Sequence, residues 1–186
     1  MIYPQRTAVA GCLLALLLGA SACDAGTASA PPPAASSAAS SFFGGTDLAW
    51  VEINIAMNEE LLPLLDLVPA HSTDPEVKAL VTEVRAVNDQ ELATLRALHD
   101  EAKLPAENPH KGMPMPGMMT PELVAEAAKV RGPAFDKLLL AHLEAHFDQG
   151  VRLAGSEEKS GLEPRTKALA GEVIGTRKKY LPKVAG

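Results

Sequence analysis

"DPEVKALVTEV", residues 74–84, and "EPRTKALAGEV", residues 163–173, agree at six of eleven positions. Each opens on an acidic residue followed by proline, Asp74–Pro75 and Glu163–Pro164. Proline lacks an amide hydrogen and has a helical φ, so it suits the first turn of a helix, and a side-chain oxygen just before it can accept the free amides of that turn. Both stretches therefore read as helix starts. The two prolines lie 89 positions apart. The same shift, without gaps, lays "TDLAWVEINIAMNEELLPLLDLV" (46–68) on residues 135–157, within "PAFDKLLLAHLEAHFDQGVRLAGSEEK" (133–159), with Trp50 on Leu139 and Met57 on His146. One shift brings two helix pairs into register, which predicts a duplicated helical hairpin. Two hairpins packed together give an all-α four-helix bundle with a quasi-two-fold axis.

The apolar residues follow helical steps of three and four. In the first helix the stripe is Trp50, Ile53, Met57, Leu61, Leu64 and Val68, with a kink expected at Pro63. In the second it is Val77, Leu80, Val84, Val87, Leu95 and Leu98. A short helix opens at "TPEL" (120–123), and the fourth long helix starts on Pro164. Helices of about 22 residues would span roughly 33 Å.

The N-terminus speaks of compartment. Arg6, an apolar run too short to cross a bilayer, and small residues ahead of Cys23 read as a lipoprotein signal peptide over 1–23, with Cys23 as the lipidated residue. The other cysteine, Cys12, leaves with the signal, so the mature chain has no thiol for a disulfide or a thiolate metal site. Residues 24–45, rich in Ala, Ser, Pro and Gly, read as a flexible linker with a reach of roughly 25 Å. The bundle then occupies 46–184. A net charge of −6 without any basic run excludes nucleic acid as a partner. The expected location is the bacterial cell envelope, outside the cytoplasmic membrane, with the membrane itself as partner through the anchor.

A Met-rich loop at 105–119 interrupts the helices. "HKGMPMPGMMTPE" (110–122) gathers His110, Met113, Met115, Met118 and Met119 among prolines and glycines. Thioethers are soft, neutral ligands suited to Cu(I). The loop either captures copper as an outer site or caps the bundle end with its methionines buried. His142 and His146, four apart, share one helical face directed at the interior. Such a pair either holds a metal or is satisfied in the core by hydrogen bonds. Met57, the duplication partner of His146, is either core filling or the sulfur of a mixed thioether–imidazole site. His71 and His99, near helix ends, are expected to be exposed. No nucleophile beside a histidine, glycine-rich phosphate loop, HExxH or helical Glu and Glu-x-x-His set of di-iron bundles is present, so an enzyme is not expected.

The methionine loop, the stretch "FDKLLLAHLEAHFDQGVRLA" and the duplicated hairpin together resemble the family catalogued as domain of unknown function 305. That resemblance covers about Thr46 to Val184 and implies a ferritin-like, extracytoplasmic four-helix fold, some of whose members are implicated in copper binding and tolerance. The family's "MPGMMT" is intact at Met115–Thr120, its Phe-Asp pair falls on Phe135 and Asp136, and the first histidine of its "MI-x-HH-x-x-A" helix falls on His146. Phe147 stands in place of the second histidine and Leu143 in place of the methionine. In the first hairpin Met57 and Asn58 take the two histidine places and Asn54 the methionine place, while Leu95 also replaces a methionine. The resemblance implies copper sequestration or delivery. The substitutions leave open a metal-free structural or protein-interaction module at the membrane surface.

Overall fold

Glycine and proline punctuation sets the helix limits. The computed structural model describes residues 42–185; the signal peptide, Cys23 and the linker up to Ser41 lie outside the described residues. Five helices follow: α1 (Gly45–His71), α2 (Pro75–Glu101), α3 (Pro121–Ala127), α4 (Pro133–Ser160) and α5 (Pro164–Val184). There are no strands among the described residues. The caps of α2 and α5 repeat one device at the duplicated positions. Asp74 Oδ1 accepts from the Glu76 and Val77 amides at 2.7 and 3.4 Å, and Glu163 Oε2 accepts from the Arg165 and Thr166 amides at 2.6 and 2.8 Å.

The helix ends define the topology. Glu101 at the end of α2 pairs with Arg165 at the start of α5, and Lys183 at the end of α5 reaches Glu83 early in α2, so α2 and α5 are antiparallel neighbours. Asp47 on the first turn of α1 accepts from the amides of Leu162 and Glu163, between α4 and α5. At the far end, Gly132 donates to His71 O at 2.7 Å. The long helices thus run up, down, down, up, and residues 102–132, including α3, form the crossover between hairpins. α1 passes through Pro63 and Pro69 as one continuous helix. Each proline removes one amide hydrogen bond, and the buried Leu61, Leu64, Leu65 and Val68 around them hold the helix to its neighbours.

Apolar packing divides into two large clusters. One gathers Leu61, Leu64, Phe135, Leu139, Leu143, Phe147 and Tyr180; the other gathers Trp50, Leu92, Leu95, Leu98, Leu169 and Val173. On α2 the buried face is Val77, Val81, Val84, Asn88, Glu91, Leu92, Leu95 and Leu98. The expected stripe included Leu80 and Val87, which are only half-buried. Two polar residues, Asn88 and Glu91, point inward because they have buried partners on other helices. His71 and His99 also depart from expectation. His71 is buried, its ring against Phe135 and its Nδ1 2.8 Å from both Val130 O and Arg131 Nη1. His99 is largely covered, with Nε2 3.1 Å from Pro105 O. The two ends of the crossover fold back over the rings.

A carboxylate clasp closes the end of the bundle where α1 begins. Asp47, Glu157, Glu163 and Thr166 are all buried there. Asp47 accepts from Gly44 N, Leu162 N, Glu163 N and Thr166 Oγ1, and Thr166 Oγ1 also lies 2.6 Å from Glu157 Oε1. Burial would raise the Asp47 pKa, but hydrogen bonds from Glu157, Glu163, Thr166 and Gly44 outweigh it and bring it to about 2. Burial, with Asp47 beside it, pushes Glu157 up to about 7, against the opposing bond from Thr166. Between these two values Asp47 is ionised and Glu157 keeps its proton, as expected of neighbouring carboxyls in unlike surroundings.

Candidate metal centre

Between the two apolar clusters lies a third, made of Ala56, Met57 and Met118, with Ile53, Met115 and Leu153 packed against it. Met57 comes from the middle of α1, whose core stripe places it inward. Met115 and Met118 come from the crossover loop. The loop can lie this close because of Gly117. Its φ is +78°, a conformation that favours glycine, and a Cβ there would fall 2.6 Å from Ala145 O and 2.8 Å from Gln149 Cβ. Backbone therefore rests directly on α4, over His146.

His146 is 1% exposed, and its Nδ1 lies 3.2 Å from Gly117 O. Carbonyl oxygen accepts only, so the bond requires the hydrogen on Nδ1 and leaves the lone pair on Nε2, which has no hydrogen-bond partner among the described residues. Burial, reinforced by the positive charge of Arg177 and opposed by the Gly117 bond, lowers the His146 pKa to about 3. The ring is a neutral, oriented nitrogen donor at any physiological pH. Histidine ligands are commonly held this way, with the second nitrogen donating to a carbonyl.

Next to this cluster is a polar layer drawn from α1, α2 and α5, with Phe147 and Gly150 of α4 against it. Arg177 and Glu91 form a bidentate ion pair at 2.9 and 2.6 Å, 5% and 8% exposed. Asn58 Nδ2 reaches Glu91 Oε2 at 3.4 Å, Asn88 Nδ2 donates to Asn58 O at 3.1 Å, and the Arg177 guanidinium lies 5.3 Å from the centre of the Phe147 ring. A Cβ at Gly150 would stand 3.3 Å from Arg177 Nε, so a small residue gives the guanidinium its room.

The expected ligands therefore divide. Met57, Met115 and Met118 come together, and His146 meets the same loop through its bond to Gly117 O. Met119 packs instead into the larger apolar cluster, and Met113 is 41% exposed. His142 is half-buried, which lowers its pKa, and makes no hydrogen bond among the described residues. His110 is half-buried, its Nδ1 sealed without a partner. Among the described residues no three His, Cys, Asp or Glu side chains gather as metal ligands, so a centre here has to rest on sulfur. A neutral imidazole with thioethers, and no cysteine among the described residues, fits Cu(I) and does not fit a hard cation. The reading of the sequence missed Asn58, Asn88, Glu91 and Arg177 as a unit. The 89-residue shift carried a signal for them, since it sets Arg177 on Asn88 and Phe147 on Asn58.

The profile of a domain of unknown function, DUF305, matches residues 50–183. The chain belongs to the DUF305 family. Its fold is similar to that of a DUF305 protein from Streptomyces coelicolor, named as a candidate secreted protein, with a TM-score of 0.67 and 19% identity over 75% of this chain and 90% of that one. It is also similar to a DUF305 fragment from Deinococcus radiodurans, with a TM-score of 0.68 and 14% identity over 76% of this chain and 94% of that one. No curated protein matches the sequence. Among the described residues no helix is long and apolar enough to cross a membrane.

Proposed function

We propose that this DUF305 protein is a lipid-anchored, extracytoplasmic copper protein that holds Cu(I) for sequestration or delivery and carries out no turnover. The observation that supports it is the bond from His146 Nδ1 to Gly117 O. Through that bond the methionine loop orients the buried imidazole while bringing Met115 and Met118 onto Met57. Met57, Met115, Met118 and His146 are the inner ligands of this reading. The exposed Met113 and the half-buried His110 belong to an outer acquisition site, and Met119 and His142 are reassigned to packing. Bound there, Cu(I) would be kept from water and oxygen. The anchor at Cys23 and the tether up to residue 45 would keep the bundle at the membrane surface, and the secreted description of the Streptomyces coelicolor neighbour is in keeping with export.

A second reading, a metal-free structural or interaction module, is favoured by one observation. Asn58 and Phe147, in the places of the second histidines, are committed to Glu91 and Arg177. Side-chain 15N NMR separates the two. Adding Cu(I) without oxygen should move the Nε2 resonance of His146 while leaving His71 and His99 in place. Unchanged His146 nitrogens at saturating Cu(I) would remove the inner site and leave the second reading.

A further inference from the structure

We propose that the end of the bundle where α1 begins docks on a lipid surface, with Phe42 and Leu162 entering its interface. This rests on the reading of Cys23 as a lipid anchor and adds which face meets the bilayer.

Phe42 and Leu162 are 71% and 63% exposed, the most open of the large apolar side chains among the described residues. They come from distant parts of the chain but flank one glycine. A Cβ on Gly44, two residues after Phe42, would stand 2.9 Å from Leu162 Cδ1. Fixed backbone presents both. Phe43 packs against the Trp50 cluster, Gly44 donates to Asp47, and the Leu162 amide donates to the same carboxylate. The clasp thus holds the chain beside these two side chains and leaves them facing outward. Single exposed apolar residues need no explanation, but two gathered on fixed backbone call for a covering surface.

The chain ahead of Phe42 supplies that surface. Nineteen positions separate Phe42 from Cys23. Read as a coil, that length averages about 25 Å, less than the roughly 40 Å of the 27-residue α1. An anchor at Cys23 therefore brings this end to the bilayer ahead of the other. Each side chain leaving water favours contact by up to about 100-fold, too little to hold a free protein. A tethered bundle meets the surface at about millimolar effective concentration, where a weak contact is engaged. Charge points to a neutral mode of contact. Glu101 pairs with Arg165 at this end, and the exposed Lys103 and Lys159 are set against the exposed Asp100 and Glu158. These charges balance, so the contact rests on the apolar pair rather than on anionic headgroups.

The test joins the signal-cleaved chain through Cys23, its one cysteine, to a maleimide lipid in phosphatidylcholine nanodiscs with a gadolinium-bearing headgroup. Methyl relaxation in NMR compares Ala49, exposed at the start of α1, with Leu123 of α3, a helix packed on the cluster of Leu61 and Val68. Ala49 should relax several-fold faster in the wild type. Phe42→Ser with Leu162→Ser keeps the tether and should at least halve that ratio, with circular dichroism showing the fold retained. A ratio near one in the wild type, which would leave the pair to a protein partner, or an undiminished ratio in the variant would overturn the docking. Mass spectrometry of the protein extracted from membranes tests the anchor by itself. An unmodified Cys23 overturns the reading beneath the docking, whereas a flat ratio overturns the docking alone.

Discussion

The two hairpins use one backbone plan for opposite chemistry. Position for position, 89 residues apart, Met57 answers to His146, Asn58 to Phe147 and Asn88 to Arg177. In the first hairpin Asn88 donates to Asn58 O; in the second, at the same two places, Arg177 lies over Phe147. The first hairpin places Met57 and, through Glu91, the anion. The second places His146 and the cation, Arg177. Caps and register repeat between the hairpins, while the middle layer differs, and its ion pair ties one half to the other. That layer is a joint between hairpins, and Met57 and His146 are the chain neighbours of its Asn58 and Phe147.

Exchanging the equivalent residues should expose this asymmetry. Arg177→Met strands a buried Glu91 carboxylate and should cost about 3–5 kcal/mol in urea unfolding. Asn88→Leu, at the duplicated position, removes one neutral hydrogen bond and should cost about 1 kcal/mol. Adding Glu91→Leu to Arg177→Met should restore much of the loss, since a buried ion pair replaced on both sides by apolar groups is often neutral. Equal costs for Arg177→Met and Asn88→Leu would break the comparison.

Gly117→Ala comes next in size. A Cβ with positive φ pressed on Ala145 O should cost about 1–3 kcal/mol and lift the loop from His146, weakening Cu(I) binding as well. Met57→Leu should cost less than about 1.5 kcal/mol, because it conserves volume, yet should still weaken Cu(I) binding. A loss of binding without a matching loss of stability separates ligand from filling.

The smallest effects concern pH and set the clasp against the site in the metal-free protein. Glu157 titrates near 7 when folded against an ordinary 4.5, so between these values the folded state holds a proton that the unfolded chain has released. Its contribution to stability is lost as pH rises through that window. His146 titrates near 3 when folded against an ordinary 6.5, so below 6.5 the unfolded chain takes up a proton that the folded ring refuses. Stability from that source is lost as pH falls. The two slopes oppose each other between about 4.5 and 6.5, and the wild type should be nearly flat there. Glu157→Gln should leave stability rising with pH over this interval, and His146→Leu should leave it falling. Below 3.8 Asp47 adds an acid loss that continues toward pH 2. Urea midpoints from pH 4 to 7 would show the three profiles.

Much of this architecture was legible in the chain. The Asp74–Pro75 and Glu163–Pro164 starts are local signals, and the α1 stripe of Trp50, Met57, Leu61, Leu64 and Val68 is buried as its spacing implies, with Ile53 of the same stripe only half-buried. Asn88 and Glu91 were not legible, because periodicity ranks residues by polarity and a polar residue turns inward only when a distant partner meets it. His71 was misread for a related reason: its position at a helix end says nothing of the Val130–Arg131 segment that returns to cover it. For the site, composition marked the methionine loop, but only the close approach at Gly117 decides that Met115 and Met118 join Met57 while Met119 enters the apolar core.

The most direct measurement is an oxygen-free Cu(I) competition titration against a chromophoric chelator, run on wild type, Met57→Leu and His146→Leu. The account predicts one tight equivalent in the wild type, weakened at least tenfold by either change, because one hairpin contributes the sulfur and the other the nitrogen. Undiminished affinity in both variants, or no competition by the wild type even with a weak chelator, would contradict it.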